Sequence, residues 1–414
     1  MTDTVTQVNV KFPKGWESVS IWHAAEYING RAFSPKDWGK KGLPIVRIQN
    51  LTNPNTVFNY YDSIVENTFL IENGDLLFSW SGTIGLFIWN RGKAILNQHI
   101  FKVVPKQNTD KKYLYYVLNI AIKQLETRVH GSTMMHFKRG ELERTYIPLP
   151  PLPEQHRIAT ILTTVDDAIQ RSQQAAAETE RLKAGVMDEL MTKGIGHTEF
   201  REDPDVGMVP KKWDVVRLIS VLSEKTKYGY SGMQVQSGSK VRVLTLSAVT
   251  NNEISEKNSK ECSHDPALIH EYWVKKDDIF IGRSNTRDLV GLTAIYRGTK
   301  PFAIFADLLI RVRADKTKIT PDFLSYYLVS DYVRTYFAAS SKGTSGSMKK
   351  IDTSIIEELK VSLPPLSEQQ RITSILSTID RKLTLQRKRI AHYEKLKQGL
   401  MNELLTGKRR VKVT

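Results

Sequence analysis

One internal repeat constrains this chain more than any other feature. The segment Leu149–Ile158, with the letters LPPLPEQHRI, returns 214 residues later as Leu363–Ile372, with the letters LPPLSEQQRI. The same register continues without a gap to Thr192 in the first copy and Thr406 in the second. Because 414 residues also exceed what one hydrophobic core usually holds, we expect a duplicated scaffold.

Apolar residues alternate by four and three after each repeated segment, which predicts two long helices. Glu154 and Glu368 would lie in the first turn, where a carboxylate opposes the positive end of the helix dipole. Each helix would run for about 40 residues, roughly 60 Å. A seam of this length needs a partner helix, and the obvious partner is the other copy. Two separate surface helices are the alternative. The predicted interface residues are Glu154, Gln155, Ile158, Leu162, Val165, Ile169 and Leu190, and in the second copy Glu368, Gln369, Ile372, Leu376, Ile379, Leu383 and Leu404.

The segments that precede the two helices share landmarks and differ elsewhere. PKGWE at 13–17 corresponds to PKKWD at 210–214, and a turn followed by an apolar strand appears at 74–79 and again at 277–282. Both segments are therefore predicted to be mixed α+β domains. The predicted boundaries are 1–149 for the first domain, 150–196 for the first helix, 197–363 for the second domain and 364–414 for the second helix.

Charge favours a polyanionic partner. Sixty Lys and Arg residues against 44 Asp and Glu give a net charge of +16, which favours nucleic acid, although a basic surface also serves solubility. The single cysteine, Cys262, cannot form a disulfide within the chain. With neither an apolar run of 18 residues nor a signal-like start, the sequence predicts a cytoplasmic protein without a membrane span.

Catalytic motifs are missing from the sequence. It contains no phosphate-binding loop, no Asn/Asp-Pro-Pro-aromatic element of base-modifying methyltransferases, and no His/Cys pattern with metal-ligand spacing. A nuclease hypothesis could invoke Asp322 together with Glu358 and Lys360, because carboxylates and a lysine can hold a metal and activate water. The alternative is that Thr320 and Pro321 simply begin a helix. We expect no catalytic, cofactor or metal site.

Two loops in each copy combine small, hydroxyl, aromatic and basic side chains, and a separate basic cluster around Trp38 lies near the start of the first domain. Arg can read guanine, Asn can read adenine, and hydroxyl or lysine side chains can bind phosphates. Plain hairpin loops and a solvated basic surface are the alternatives. The predicted DNA contacts are Arg31, Lys36, Lys41, Ser79, Trp80, Ser81, Thr83, Ser132, Thr133, His136 and Lys138, and in the second copy Arg283, Ser284, Asn285, Arg287, Thr344, Ser345, Lys349 and Lys350.

The repeated Leu-Pro-Pro-Leu-x-Glu-Gln-x-x-Ile element, each copy between a variable domain and a long helix, resembles the specificity subunit of type I restriction-modification systems. The resemblance covers essentially the whole chain and carries over to residues 150–192 and 364–406. It implies two target recognition domains, each binding half of a split site in double-stranded DNA. It also implies two helices that pack as an antiparallel coiled coil, set the spacer and dock two methyltransferase subunits.

The resemblance further implies a chain without its own active site or cofactor. S-adenosylmethionine belongs to the methyltransferase subunits, which modify adenine at N6, and ATP with Mg²⁺ belongs to motor-nuclease subunits. Because the two domains differ in sequence, we expect an asymmetric bipartite site. A stand-alone DNA-binding regulator, a coiled-coil scaffold and a nuclease that requires Asp322 are the alternatives.

Overall fold

A computed structural model describes residues 13–128, 137, 139–230, 241–250, 252–262, 269–299, 302–343 and 348–412. The chain forms two compact units, which divide both long helices between them. Residues 1–173 with 388–414 make up the first unit, and residues 174–387 make up the second.

The first unit is built mainly from short strands, with one helix of 18 residues before the repeated segment. Its elements are β1 (Glu17–Ser20), α1 (Ile21–Ala24), β2 (Ala25–Asn29), β3 (Leu43–Val46), α2 (Ile48–Thr52), β4 (Asn59–Tyr61), β5 (Leu70–Ile71), β6 (Leu76–Ser79), β7 (Gly85–Ile88), β8 (Ala94–Leu96), β9 (Ile100–Pro105), α3 (Lys111–Arg128), α4 (Arg139–Arg144), β10 (Tyr146–Leu149) and the first part of α5 (Leu152–Thr192), with 3-10 turns at Pro35–Asp37 and Asn67–Phe69.

Two four-stranded sheets form the body of this unit. One is antiparallel in the order β2-β9-β6-β7, and the other has the order β4-β3-β8-β5 with β3 and β8 parallel. β1 pairs with β10, with Glu17 opposite Leu149. All four residues of β6 are buried, which fits the three successive apolar residues Leu76–Phe78. The main core joins Phe78 of β6 to Tyr113 of α3 and also includes Ile158 and Leu162 of α5.

The second unit repeats this organisation with a larger sheet. Its elements are the rest of α5, β11 (Phe200–Asp203), β12 (Gly207–Pro210), β13 (Asp214–Arg217), β14 (Lys227–Tyr228), β15 (Val241–Leu244), β16 (Val249–Thr250), β17 (Asn252–Ile254), β18 (Ser259–Cys262), β19 (Ile279–Gly282), β20 (Ser284–Asn285), β21 (Thr293–Ile295), β22 (Ala303–Phe305), β23 (Leu309–Val312), α6 (Pro321–Leu328), α7 (Asp331–Ser340), β24 (Lys349–Lys350), α8 (Thr353–Glu358), β25 (Lys360–Leu363) and the first part of α9 (Leu366–Leu404), with 3-10 turns at Leu218–Val221, Leu246–Ala248, Glu256–Asn258 and His270–Tyr272.

The sheet of the second unit has the order β14-β23-β19-β21-β17-β16, and a three-stranded sheet has the order β18-β15-β22. β13 pairs with β25 in the way that β1 pairs with β10, with Asp214 opposite Leu363. The main core contains Phe323 of α6 together with Ile372 and Leu376 of α9. The predicted mixed α+β class and its duplication are confirmed.

α5 and α9 run for 41 and 39 residues, as predicted. Within the first unit Asp166 of α5 contacts Lys397 of α9, and within the second Lys183 of α5 contacts Asp380 of α9. Residue numbers fall along α9 as they rise along α5, so the helices pack antiparallel. The predicted antiparallel helix pair is confirmed.

The apolar stripes of the two helices face more than each other. Ile158 and Leu162, at the start of α5, join the core of the first unit, as does Leu404 at the end of α9. Ile372, Leu376 and Leu190 join the core of the second unit. Leu383 is also buried, whereas Val165, Ile169 and Ile379 are half-buried. An apolar stripe drives burial without specifying which surface buries it, so periodicity alone cannot separate a domain core from a helix–helix seam.

Candidate nucleic-acid interface

The predicted loops that follow the buried strands occupy matching places in the two units. In the first unit the backbone N–H of Trp80 donates to the carbonyl of His99 at 3.4 Å, and the carbonyl of Trp80 accepts from Phe137 at 3.1 Å. The loop at Trp80 is thereby fixed beside Phe137, which follows α3.

In the second unit Arg283 makes the corresponding contacts. Its backbone N–H donates to the carbonyl of Leu308 at 2.8 Å, and its carbonyl accepts from Ile351 at 2.9 Å. β20 then pairs with β24, so that Ser284 lies opposite Lys350 and Asn285 opposite Lys349. The second predicted loop therefore meets the first, and together they form one patch.

The side chains of this patch differ in their exposure to solvent. Ser284 is buried, whereas Arg287 and Lys350 are exposed. The Arg283 guanidinium lies over the ring of Tyr228, with 4.7 Å between its Cζ and the ring centroid, and its buried Nε has no hydrogen-bond partner. Thr344 and Ser345 lie outside the described residues.

Buried serine side chains fix the conformation of the corresponding loop of the first unit. Ser79 is fully buried and its hydroxyl donates to the carbonyl of Thr83 at 2.7 Å, while Ser81 is also buried. These contacts fix the loop backbone, leaving the Thr83 side chain exposed. The Trp80 ring packs near His99 and Phe101, with ring centroids 5.5 and 5.7 Å apart. Ser132, Thr133, His136 and Lys138 lie outside the described residues.

A second basic and aromatic surface of the first unit surrounds β4. Arg31 lies over the ring of Tyr61, with 4.5 Å between its Cζ and the ring centroid. Lys36 and Lys41 are exposed. Arg47 and Asn59 belong to this surface but were missed by sequence reasoning, because neither follows a buried strand in a glycine- or serine-rich loop.

Each domain is attached to its helix through a tryptophan and a glutamate. In the first unit the indole N–H of Trp16 donates to the buried carboxylate of Glu154 at 3.0 Å. Arg410, which follows α9, donates to both oxygens of that carboxylate at 2.7 and 2.8 Å. The hydrogen bonds to Glu154 raise the pKa of Arg410. This bidentate ion pair supplies hydrogen bonds to both oxygens of the buried carboxylate.

The second unit builds the same anchor with a histidine in place of the arginine. Trp213 donates to Glu368 at 3.0 Å, and His197, which follows α5, lies 2.8 Å from the same carboxylate. Gly194 has φ +66°, and a Cβ there would lie 2.5 Å from the Trp213 ring. Only glycine tolerates both this backbone and this close approach. Sequence reasoning placed Glu368 on the helix interface and did not identify its contact with the domain.

A glutamine next to each glutamate fixes a loop of the same domain. Gln155 accepts a hydrogen bond from the backbone N–H of Asp110 at 2.8 Å, and Gln369 accepts one from Thr320 at 2.8 Å. Both glutamines are fully buried. The repeated Glu-Gln pair thus secures a domain to the first turn of its helix, once in each unit.

About three turns further along the helices, a tyrosine, an aspartate and a lysine form a second matching group. Tyr116 donates to Asp166 at 2.6 Å, and Asp166 lies 2.6 Å from Lys397. Burial and the hydrogen bond to Asp166 raise the pKa of the Tyr116 phenol. Tyr326, Asp380 and Lys183 form the same arrangement in the second unit, with distances of 2.7 and 2.6 Å.

The residues of the nuclease hypothesis are engaged separately. Asp322 pairs with Arg297 at 2.5 Å, Glu358 with Arg217 at 3.0 Å, and Lys360 with Asp205 at 3.2 Å. No group of three His, Cys, Asp or Glu side chains arranged to hold a metal occurs among the described residues. The arrangement therefore gives no support to metal-assisted hydrolysis.

Sequence comparison identifies the protein class. The family model of the type I restriction modification DNA specificity domain matches twice, over residues 13–181 and 210–395. The chain belongs to this family, as its repeated element indicated.

Individual relatives agree with this assignment. The chain is 28% identical over 416 residues to the type I restriction enzyme MjaVIII specificity subunit of Methanocaldococcus jannaschii, covering 97% of this chain and 95% of that one. It is 24% identical to the EcoBI specificity subunit of Escherichia coli, over 86% of this chain and 77% of that one.

Two solved structures share the fold. The S subunit of a type I restriction-modification system from M. genitalium matches with a TM-score of 0.58 and 14% identity, covering 96% of this chain and 98% of that one. A chain from a study of complex assembly and conformational transition of the type I R-M system matches with a TM-score of 0.57 and 18% identity, covering 96% and 100%. Within the described residues, no helix is long and apolar enough to cross a membrane.

Proposed function

We propose that this chain is the DNA-recognition subunit of a type I restriction-modification complex in the cytoplasm. Each domain binds one half of an asymmetric bipartite site, and the paired helices set the spacer. The observation that carries the proposal is the contrast between anchors and loops. The Trp–Glu–Gln anchors are the same in both units, whereas the loops in matching places carry different side chains, such as Trp80 and Arg283.

Recognition of a two-part DNA site requires this contrast. A repeated anchor holds each domain in the same way on its helix, while different loop chemistry allows each domain to recognise a different set of base pairs. A duplicated scaffold that carries two unlike recognition domains fits a split and asymmetric site.

The methylome tests this proposal directly. N6-methyladenine would be mapped by single-molecule sequencing in cells with the gene intact, deleted and restored. We expect one bipartite asymmetric motif to lose methylation on deletion and to regain it on restoration. An unchanged methylome in cells that express the chain and the methyltransferase subunits would overturn the proposal and favour a regulator or scaffold.

The outer faces of the helices supply the docking sites for two methyltransferase subunits. Leu182 and Leu396 occupy the same repeat position and expose 54% and 42% of their surface. Gly185 and Gly399, one turn on, are exposed, and a Cβ at either would meet nothing within 4 Å. Glycine inside a helix costs about 1 kcal/mol relative to alanine. Its presence at both positions therefore fits close approach by a partner that binds twice.

Substitutions on the two faces test this docking. Leu182→Glu and Leu396→Glu should each remove one of two methyltransferase subunits from the purified complex, as measured by its mass. Leu385→Glu is the matched control, because Leu385 exposes 60% of its surface but has Arg171 at the corresponding repeat position. Retention of both subunits by the Leu182→Glu, Leu396→Glu double variant would exclude this surface.

The chemistry of the complex belongs to its other subunits. S-adenosylmethionine is bound by the methyltransferase subunits, and ATP with Mg²⁺ by the motor-nuclease subunits, with no cofactor on this chain. Asp322→Ala should therefore leave DNA cleavage by the assembled complex unchanged. Magnesium-dependent cleavage by the isolated chain, abolished by this substitution, would establish a nuclease instead.

A further inference from the structure

The surface around β4 in the first unit carries two arginines held by aromatic and amide side chains. We call it the arginine–aromatic face and define it by six residues, Arg31, Phe33, Trp38, Arg47, Asn59 and Tyr61. We infer that Arg47 determines specificity in this unit by reading a guanine in the major groove. This inference rests on the proposed function and names one base that the first domain recognises.

Arg47 is fixed from two sides. Its Cζ lies 4.9 Å from the ring centroid of Trp38, and its Nη2 donates to the Asn59 side-chain carbonyl at 2.6 Å. Asn59 and Tyr61 are two residues apart on β4 and therefore project from the same face of the sheet. Tyr61 in turn supports Arg31. The guanidinium plane of Arg47 is thus set before any ligand arrives.

The remaining hydrogen-bonding capacity of Arg47 is unused within the described structure. No carboxylate of a described residue lies within 4.0 Å of its guanidinium, and the described hydrogen bond of that group goes to the neutral Oδ1 of Asn59. Because arginine cannot lose its charge, a half-buried guanidinium without a carboxylate is well suited to an acceptor supplied from outside the protein.

Other arginines are already paired with carboxylates of the protein. In the first unit Arg410 is paired with both oxygens of the Glu154 carboxylate, at 2.7 and 2.8 Å. In the second unit Arg313 is paired with Asp278 and Glu224. These arginines hold the fold together, whereas Arg47 is itself held and still has donors to offer.

Guanine fits this geometry. Its N7 and O6 present two acceptors in one plane, which the planar fork of a fixed guanidinium fits in a bidentate way. Lys36, Lys40 and Lys41 are exposed and precede β3. Their flexible stems carry point charges, which suit contacts with backbone phosphates. We therefore assign base reading to Arg47 and phosphate contact to these lysines.

The test uses the complex of the full chain with its methyltransferase subunits. Affinity would be measured for the natural site and for every single base-pair substitution in it, at one salt concentration, with wild type, Arg47→Lys and Lys41→Ala. Arg47→Lys keeps the positive charge but loses the planar guanidinium group. Thermal unfolding would verify that this variant folds.

We expect the wild-type complex to discriminate against substitution of one G·C pair in one half-site, and Arg47→Lys to reduce that discrimination roughly 5- to 150-fold. The other half-site should be read as before. Lys41→Ala should weaken binding evenly across all sequences and reduce its salt dependence.

Two results would overturn the inference. An even loss of affinity in Arg47→Lys with unchanged base preference would identify a phosphate contact, and unchanged affinity and preference would exclude contact with DNA. A wild-type complex that binds no sequence preferentially would instead refute the proposed function, so the two failures are distinguishable.

Discussion

At the scale of single residues, the sequence could identify the repeated Glu-Gln pair but not its contacts. Glu154 was expected in the first turn of a helix, and it lies there. Its hydrogen-bond donors, Trp16 and Arg410, lie 138 and 256 residues away. Periodicity carries no information about partners at such separations, so the anchor could be recognised only in the structure.

Removal of this carboxylate should destabilise the first unit. Glu154→Ala leaves the buried indole N–H of Trp16 without an acceptor, which should lower the free energy of unfolding by about 1–3 kcal/mol. Denaturant unfolding measures this change. Glu358→Ala is the control, because Glu358 forms an exposed pair with Arg217, and such pairs contribute about 0–1 kcal/mol. Equal losses in the two variants would contradict the role of the anchor.

Arg283 should affect the second half-site alone. The guanidinium is supported by Tyr228 and its Nε is unpaired, so Arg283→Ala should cost about 1–3 kcal/mol of discrimination at one base pair. Competition binding with substituted sites measures this loss. Lys350→Ala, on the exposed side of the same patch, should weaken binding without changing the preferred sequence. A change in the half-site read by the first unit would refute the assignment of Arg283.

At the scale of elements, the predicted helices were recovered because length and period are local properties. Sequence reasoning missed the short strands that pair across long stretches of chain, such as β3 with β8 and β20 with β24. Arg47 and Asn59 were also missed, since their contact depends on the pairing of β3 with β4. Non-local pairing decides which side chains meet on these surfaces.

The contacts of α3 with α5 and of α6 with α9 should make stability sensitive to alkaline pH. The folded pKa of Tyr116 is raised by burial and by Asp166, and that of Tyr326 in the same way by Asp380. A free tyrosine ionises near pH 10. The stabilisation is therefore fully present below pH 10 and is lost as pH rises through the higher folded pKa.

The measurement is denaturant unfolding between pH 8 and about pH 11.5. The free energy of unfolding should fall above pH 10, and less steeply in the double variant Tyr116→Phe, Tyr326→Phe. Tyr115→Phe is the control, because the described hydrogen bonds do not involve the Tyr115 hydroxyl. An unchanged slope in the double variant would show that other groups govern this pH dependence.

At the scale of the whole molecule, duplication was the property that the sequence revealed most directly, because identical residues recur in one register. The division of each helix between two units was not predicted. That division depends on the burial of Leu190 and Leu404, far along their helices, in cores whose other members come from distant parts of the chain.

Matched deletions should change the spacer. Removing residues 168–174 and 389–395 takes one heptad from each helix and retains Asp166, Lys183, Asp380 and Lys397. Seven residues correspond to about 10 Å of helix, or about three base pairs of DNA. The variant complex should no longer prefer the wild-type spacer, as measured by binding to a series of spacer lengths. An unchanged preference would refute the role of the helices in spacing.

The buried glutamines have a consequence for hydrogen exchange. The backbone amides of Asp110 and Thr320 belong to loops, where exchange is ordinarily fast, yet each donates to a glutamine that is fully buried at the start of a helix. Such an amide exchanges only when its anchor opens. The exchange rates of these two protons therefore report separately on the detachment of each domain from its helix. They can show that one domain detaches while the other remains attached.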